Sequence, residues 1–115
     1  MKFALTALAA IALSAVASAQ EPIDGDNPTN TDCAAAFSVI AEQARESQGE
    51  GSEREAVAKS LYTRFLAAAV NAGEYENRNL AAQSIAVRAL AIVDMLETDE
   101  GGAAVEQAIG VCLAR

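Results

Sequence analysis

The chain has 115 residues and not one histidine, which bounds its chemistry closely. Histidine is the commonest general base near neutral pH. Without it neither a serine or cysteine triad nor a Glu-x-x-His di-metal bundle can be built. Ser38, Ser47, Ser52, Ser60 and Ser84 have no assembled base near them in the sequence. Glu42 and Glu46 stand one helical turn apart, as paired catalytic carboxylates could. With Gln43 and Arg45 beside them they read instead as a solvated helix face. Asp24, Asp26, Asn30 and Asp32 offer oxygen ligands at even spacing, faintly like a calcium loop. The glycine at the bend and the closing bidentate glutamate are missing, so a solvated linker is the expectation. No catalytic residue, metal ligand set or cofactor motif emerges, and an enzyme is not expected.

Two cysteines remain, Cys33 and Cys112. Two thiolates without histidine would need carboxylates to complete a metal site, and no ligand spacing suggests one. An even cysteine count in an exported chain points to a disulfide. Export is read from the first nineteen residues, MKFALTALAAIALSAVASA. Lys2 supplies the positive n-region, Phe3 to Val16 the apolar core, and Ala17-Ser18-Ala19 the small residues of a cleavage site, leaving Gln20 first. The apolar run is short for a retained span of about 20 residues. A periplasmic destination is expected, with secretion beyond the cell as the alternative.

Cleavage would leave 96 residues, enough for one modest core. Removing Lys2 leaves 7 basic against 16 acidic side chains, a net −9. That balance disfavours nucleic acid and, after cleavage, anionic membrane surfaces, since both are polyanions. It suits solubility or a basic partner.

Four helices must position everything else. Residues 20–31, broken by Pro22, Gly25 and Pro28, read as a flexible acidic leader, and residues 32–115 as a single helical domain. Helix one starts near Asp32 as its cap, with Cys33, Phe37, Ile40 and Ala44 as a narrow apolar stripe, and ends by Gly49. Helix two opens on a capping box of Ser52 and Glu55. It places Val57, Leu61, Phe65 and Ala68 inward, with Leu66 and Val70 beside them, and stops at Gly73.

Helix three, Asn79 to about Thr98, lies at the centre of this reading. Its expected buried stripe is Ala82, Ile85, Ala89, Ile92 and Leu96, with Arg88 near the edge of the polar half. Leu80, Val87 and Leu90 sit among polar residues on the opposite half, where a simple surface helix would not need them. Tyr75, in the loop before it, reads as a lid on the core with its hydroxyl in water, or as an anchor for a partner. Asp99 to Gly102 breaks the pattern. Helix four then runs from about Gly102 or Ala103 to Leu113 with Val105, Ala108 or Ile109, and Cys112 inward. Gly110 inside it implies close approach of another helix. Arg64 and Arg88 lie in apolar surroundings, where arginine lays its stem along apolar surface and keeps its head wet. Binding a carboxylate ligand from a buried position is the alternative.

Short connections and no strand give an all-α fold, a small up-down-up-down four-helix bundle closed by one disulfide between first and last helices. Leu80, Val87, Leu90 and Tyr75 form the candidate partner surface, for another protein or for self-association. The functional expectation is a periplasmic protein acting by protein–protein contact, as an inhibitor, immunity or accessory protein. The alternative is an acid-stress chaperone: sixteen carboxylates and no histidine concentrate the change of charge near pH 4 on ordinary carboxylate values.

The Cys33–Cys112 bridge closes most of the folded chain into one loop, which stabilises by roughly 4 kcal/mol on the chain-entropy account. Thiol titration of the denatured, non-reduced protein should find no free sulfhydryl. Reduction should lower the thermal midpoint by many degrees, consistent with a typical cost of about 2–5 kcal/mol; an unchanged midpoint would show that the bundle needs no clasp.

Overall fold

Four helices account for most of residues 21–115, the part that the computed structural model describes. The expected signal peptide lies outside those residues. Helix α1 (Asn30–Gln48) begins at Thr29, whose hydroxyl accepts from the Asp32 N–H at 3.0 Å while the Asp32 carboxylate accepts from the Thr29 N–H at 3.1 Å. This is a reciprocal capping box. Asp32 is therefore the third residue of the first turn and not the cap expected. The turn into α2 (Glu53–Asn71) uses Gly49 and Gly51, at φ +86° and +83°, where a side chain would be strained.

Ser52 accepts from the Glu55 N–H at 3.2 Å, one half of the expected box. The Glu55 carboxylate reaches one residue further back, to the Gly51 N–H at 2.9 Å. Helix α2 stops at Gly73 (φ +78°), with Gly73 N–H bonded to the Val70 carbonyl and Glu74 N–H to the Ala69 carbonyl, the Schellman pattern. Asn77 caps α3 (Arg78–Met95) and Thr98 caps α4 (Asp99–Leu113). Asp99 to Gly102, expected to break the chain, is instead the first turn of α4, because the Thr98 hydroxyl accepts from the Gly101 N–H.

The chain is an all-α four-helix bundle, with no strand among the described residues. The Cys33–Cys112 disulfide joins the start of α1 to the end of α4, with Cα atoms 5.7 Å apart and both residues fully buried. Although α3 looked central in the sequence, α1 holds that place. It packs on α2, α3 and α4, whereas α2 and α4 stay apart. Asp32 to Phe37 are buried without interruption, so α1 has no solvent-facing side over these six residues. Phe37 stacks on Phe65 of α2, ring centroids 5.8 Å apart, worth about 0.5–1.5 kcal/mol beyond the area buried. No described helix is long and apolar enough to cross a membrane.

Half of the buried apolar residues are alanine, ten of twenty. The buried faces accordingly follow alanine. On α2 they include Ala58, Phe65, Leu66 and Ala69, and Val57, expected inside, is 54 % exposed. On α3 they run through Ala81, Ile85, Arg88, Ala91 and Ile92. That face is turned by about 70° from the one expected, at 100° per residue.

The expected acidic leader gives its last two residues, Asn30 and Thr31, to α1; residues 21–29 have no helix or strand, yet they are not merely solvated. Ile23 and Pro28 are buried, and a Cβ on Gly25 would stand 2.8 Å from the Gln107 side chain on α4.

Gly110 corrects a further expectation. A Cβ placed there meets nothing within 4 Å, and the same is true of Gly102. No helix approaches either. At Gly101 a Cβ would lie 2.1 Å from the Met95 carbonyl oxygen, so this glycine lets the α3–α4 turn close. Gly110→Ala and Gly102→Ala should each stabilise by up to about 1 kcal/mol, raising the thermal midpoint by several degrees. Gly101→Ala should lower it. A rise in all three, or a loss at Gly110, would contradict the packing described.

Candidate functional site

Arg88 is the most deeply placed basic group in the described residues, 7 % exposed and on the buried face of α3. Its Nε donates to Asp32 Oδ1 at 2.7 Å, and another guanidinium nitrogen donates to the Glu21 carbonyl oxygen. The sequence places this arginine at an edge with its head in water; the structure buries it on a carboxylate of its own chain. It is therefore already committed to the fold and ties α3, the start of α1 and the leader together. Asp32 serves two roles, since its other oxygen closes the capping box. Arg64, by contrast, is exposed and lies over the Phe65 ring, 5.2 Å from its centroid.

Several of the other candidates for reaction chemistry are also engaged within the fold. Asp24 Oδ1 accepts from the Asp26 and Asn27 N–H groups, and Asp26 accepts from Gln107. Asn30 donates to Glu74. The four even-spaced oxygens thus turn to four different tasks, and no group of His, Cys, Asp or Glu among the described residues is placed to hold a metal. Ser38 donates to the Ala35 carbonyl. Glu42 pairs with Arg45 at 2.5 Å on the surface, and that hydrogen bond, with the attraction of the same carboxylate, holds the guanidinium above its ordinary pKa.

What stands open is apolar. Leu90 is 71 % exposed, and Leu80 and Val87 are exposed on the same side of α3. Val93 extends the strip towards the end of the helix. Placing each residue 100° from the last counts Val93 with the buried face, and the structure corrects this by leaving it exposed. Tyr75 does not join them. It packs against the core, and its hydroxyl lies 3.1 Å from the Thr31 hydroxyl rather than in water.

Beside Leu90 and Val93 a groove of about 550 Å³ runs over α1. Val39, Ile85, Ala89, Leu90 and Val93 give it an apolar lining, Tyr62 of α2 closes one side, and Glu42 and Glu46 stand along α1. A second groove, about 540 Å³, opens between α2 and α4 over Phe37 and Ile40, walled by Val57, Leu61, Ile109 and Leu113. Both lie over α1, the first beside α3 and the second between α2 and α4.

Compared with protein-family models, with curated proteins and with solved structures, the chain matches nothing.

Removing Asp32 would leave a buried guanidinium without its carboxylate and open the capping box of α1. Asp32→Ala should cost about 3–5 kcal/mol, as broken buried pairs do, measured by urea unfolding of the oxidised protein. Adding Arg88→Met should restore a large part, because an apolar chain of similar length no longer needs the anion. A double variant no more stable than Asp32→Ala would show that the cap, and not the ion pair, carries the cost.

Proposed function

We propose that this protein is a small exported binding module that docks on another protein in the periplasm, as an inhibitor, immunity or accessory protein, and that it is not an enzyme. The observation that carries this reading is the uncovered apolar strip of α3, Leu80, Val87 and Leu90, continued by Val93. Single exposed leucines are ordinary on protein surfaces. Several on one side of one helix, next to a groove with an apolar lining, are the pattern that helix-mediated contacts use. None of the four belongs to the buried core, so the fold does not require their size. The disulfide fits an oxidising compartment, and the signal peptide read in residues 1–19 supplies the route.

Leu90→Asp should leave helicity and thermal midpoint unchanged, because the side chain is solvent-facing. It should abolish recovery of a partner from periplasmic extract that the wild type retains. If both proteins recover the same set, the strip is not the docking surface. Suppression of substrate aggregation near pH 3 but not near pH 7, below and above the ordinary carboxylate range, would point instead to an acid-stress chaperone.

A further inference from the structure

Of the two grooves, the one beside α3 has a one-sided electrostatic character. Its carboxylates, Glu42 and Glu46, lie one turn apart on α1, and no lysine or arginine lines it. Glu42 shares its charge with Arg45, whereas Glu46 has neither an ion pair nor a side-chain hydrogen bond among the described residues. The groove between α2 and α4 mixes Glu53 with Arg54 and selects for neither sign.

The lining of the first groove spans Ser38 to Glu46 on α1 and Ile85 to Val93 on α3. At 1.5 Å per residue each wall is roughly 12 Å long, a little over two helical turns. A groove between helices is filled by the side-chain ridges of a third helix. No sheet edge is present among the described residues to pair with a strand.

We propose that this groove takes an amphipathic helix of a partner protein, with its apolar stripe on Val39, Ile85, Ala89, Leu90 and Val93. On that helix, lysine or arginine residues three or four positions apart would face Glu42 and Glu46. The proposal rests on the reading of the protein as a binding module and names the chemistry of what it binds. A second copy of this chain is the weaker occupant. It has a net charge of −8, and its own exposed strip on α3 is interleaved with Gln83 and Asp94 and followed by Glu97, so it would bring like charge to the same rim. Acidic side chains on the rim would also exclude most other helices of the periplasm by repulsion, which gives selectivity as well as attraction.

Three fluorescent peptides of about five turns test this against the oxidised protein by anisotropy. One is amphipathic with leucine at i, i+3, i+4 and i+7 flanked by lysine. The second replaces each lysine by glutamate. The third scrambles the first so that no apolar face remains. The first should bind, and the other two should bind at least about tenfold more weakly, or about 1.4 kcal/mol. Binding of the first should fall about fivefold or more with Glu46→Lys, and with Leu90→Asp, in proteins of unchanged helicity; it should also weaken as salt is raised. Equal binding of the first and scrambled peptides would mean attraction by net charge alone and would overturn the groove. Equal or tighter binding of the glutamate peptide would overturn the choice of a basic partner. If no peptide binds while Leu90 still governs recovery of a periplasmic partner, this inference fails and the docking function stands. If Leu90 governs neither, both fail.

Discussion

Burying Asp32 to Phe37 as an unbroken run obliges every polar group there to find its partner inside the protein. Those partners come from every other part of the chain. Asp32 holds Arg88 of α3, Cys33 is bonded to Cys112 of α4, and Phe37 stacks on Phe65 of α2. Just before the run, Thr31 meets Tyr75 of the α2–α3 loop and Asn30 meets Glu74. Pro28, in the leader, offers its carbonyl to Arg115 at the other end of the chain. A helix enclosed on all sides is common in large proteins and demanding in a small one. Here one stretch of α1 is the point through which all elements are tied.

Such enclosure requires small side chains. Ala34, Ala35 and Ala36 occupy the middle of the run and share one core cluster with Ala81 of α3 and Ala108 of α4, and Ala58 and Ala69 are buried on α2. Alanine allows backbones to come close and buries little apolar area at each contact, so the stabilisation per contact at roughly 25 cal/mol per Å² is modest. The disulfide and the buried ion pair supplement it by different means. The first limits the unfolded chain, and the second fixes which face of α3 turns inward, since an unpaired guanidinium inside would be costly. Phe37, Phe65, Leu66, Ile85 and Ile92 are the larger side chains inside, while Val57, Val87 and Leu90 stand on the surface.

This also explains what could be read from the sequence. Helix number, the Gly49 and Gly73 stops and the cysteine pairing were legible, because glycines and thiols have strong local signatures. The orientation of α2 and α3 was not. Reading amphipathicity gives leucine and valine the greatest weight, and in an alanine-rich bundle the closest faces belong to the smallest residues. Arg88 was misplaced for a related reason: a charge within an apolar helix looks like an edge position until a carboxylate 56 residues away is brought to it. Asp32 looked like a cap because aspartate is a good one; Thr29 lay three residues upstream in a stretch taken for linker. Asp99 to Gly102 read as a break, since two glycines outweigh a threonine cap on propensity alone. The exposure of Leu80, Val87 and Leu90 was visible as a conflict in the pattern, whereas the groove beside them was not, because it depends on how far α2 and α3 diverge over α1.

The division of labour that results bears on function. Asp32, Arg88, Cys33, Cys112 and Tyr75 all serve the fold, and each is held by a specific partner. Leu90, Val93 and Glu46 stand outside the buried core, and side chains free of structural duty can change with little effect on stability. A surface of that kind can be matched to a partner by substitution while the enclosed helix remains as it is. The groove floor adds what a loose strip alone would lack. Val39 and Ile85 are fixed by α1 and α3 in a packed interior, so a docking helix meets a preformed surface and pays little to organise it. Rigidity where the floor is built and freedom along the rim arise from one arrangement, the enclosure of α1 by three unequal neighbours.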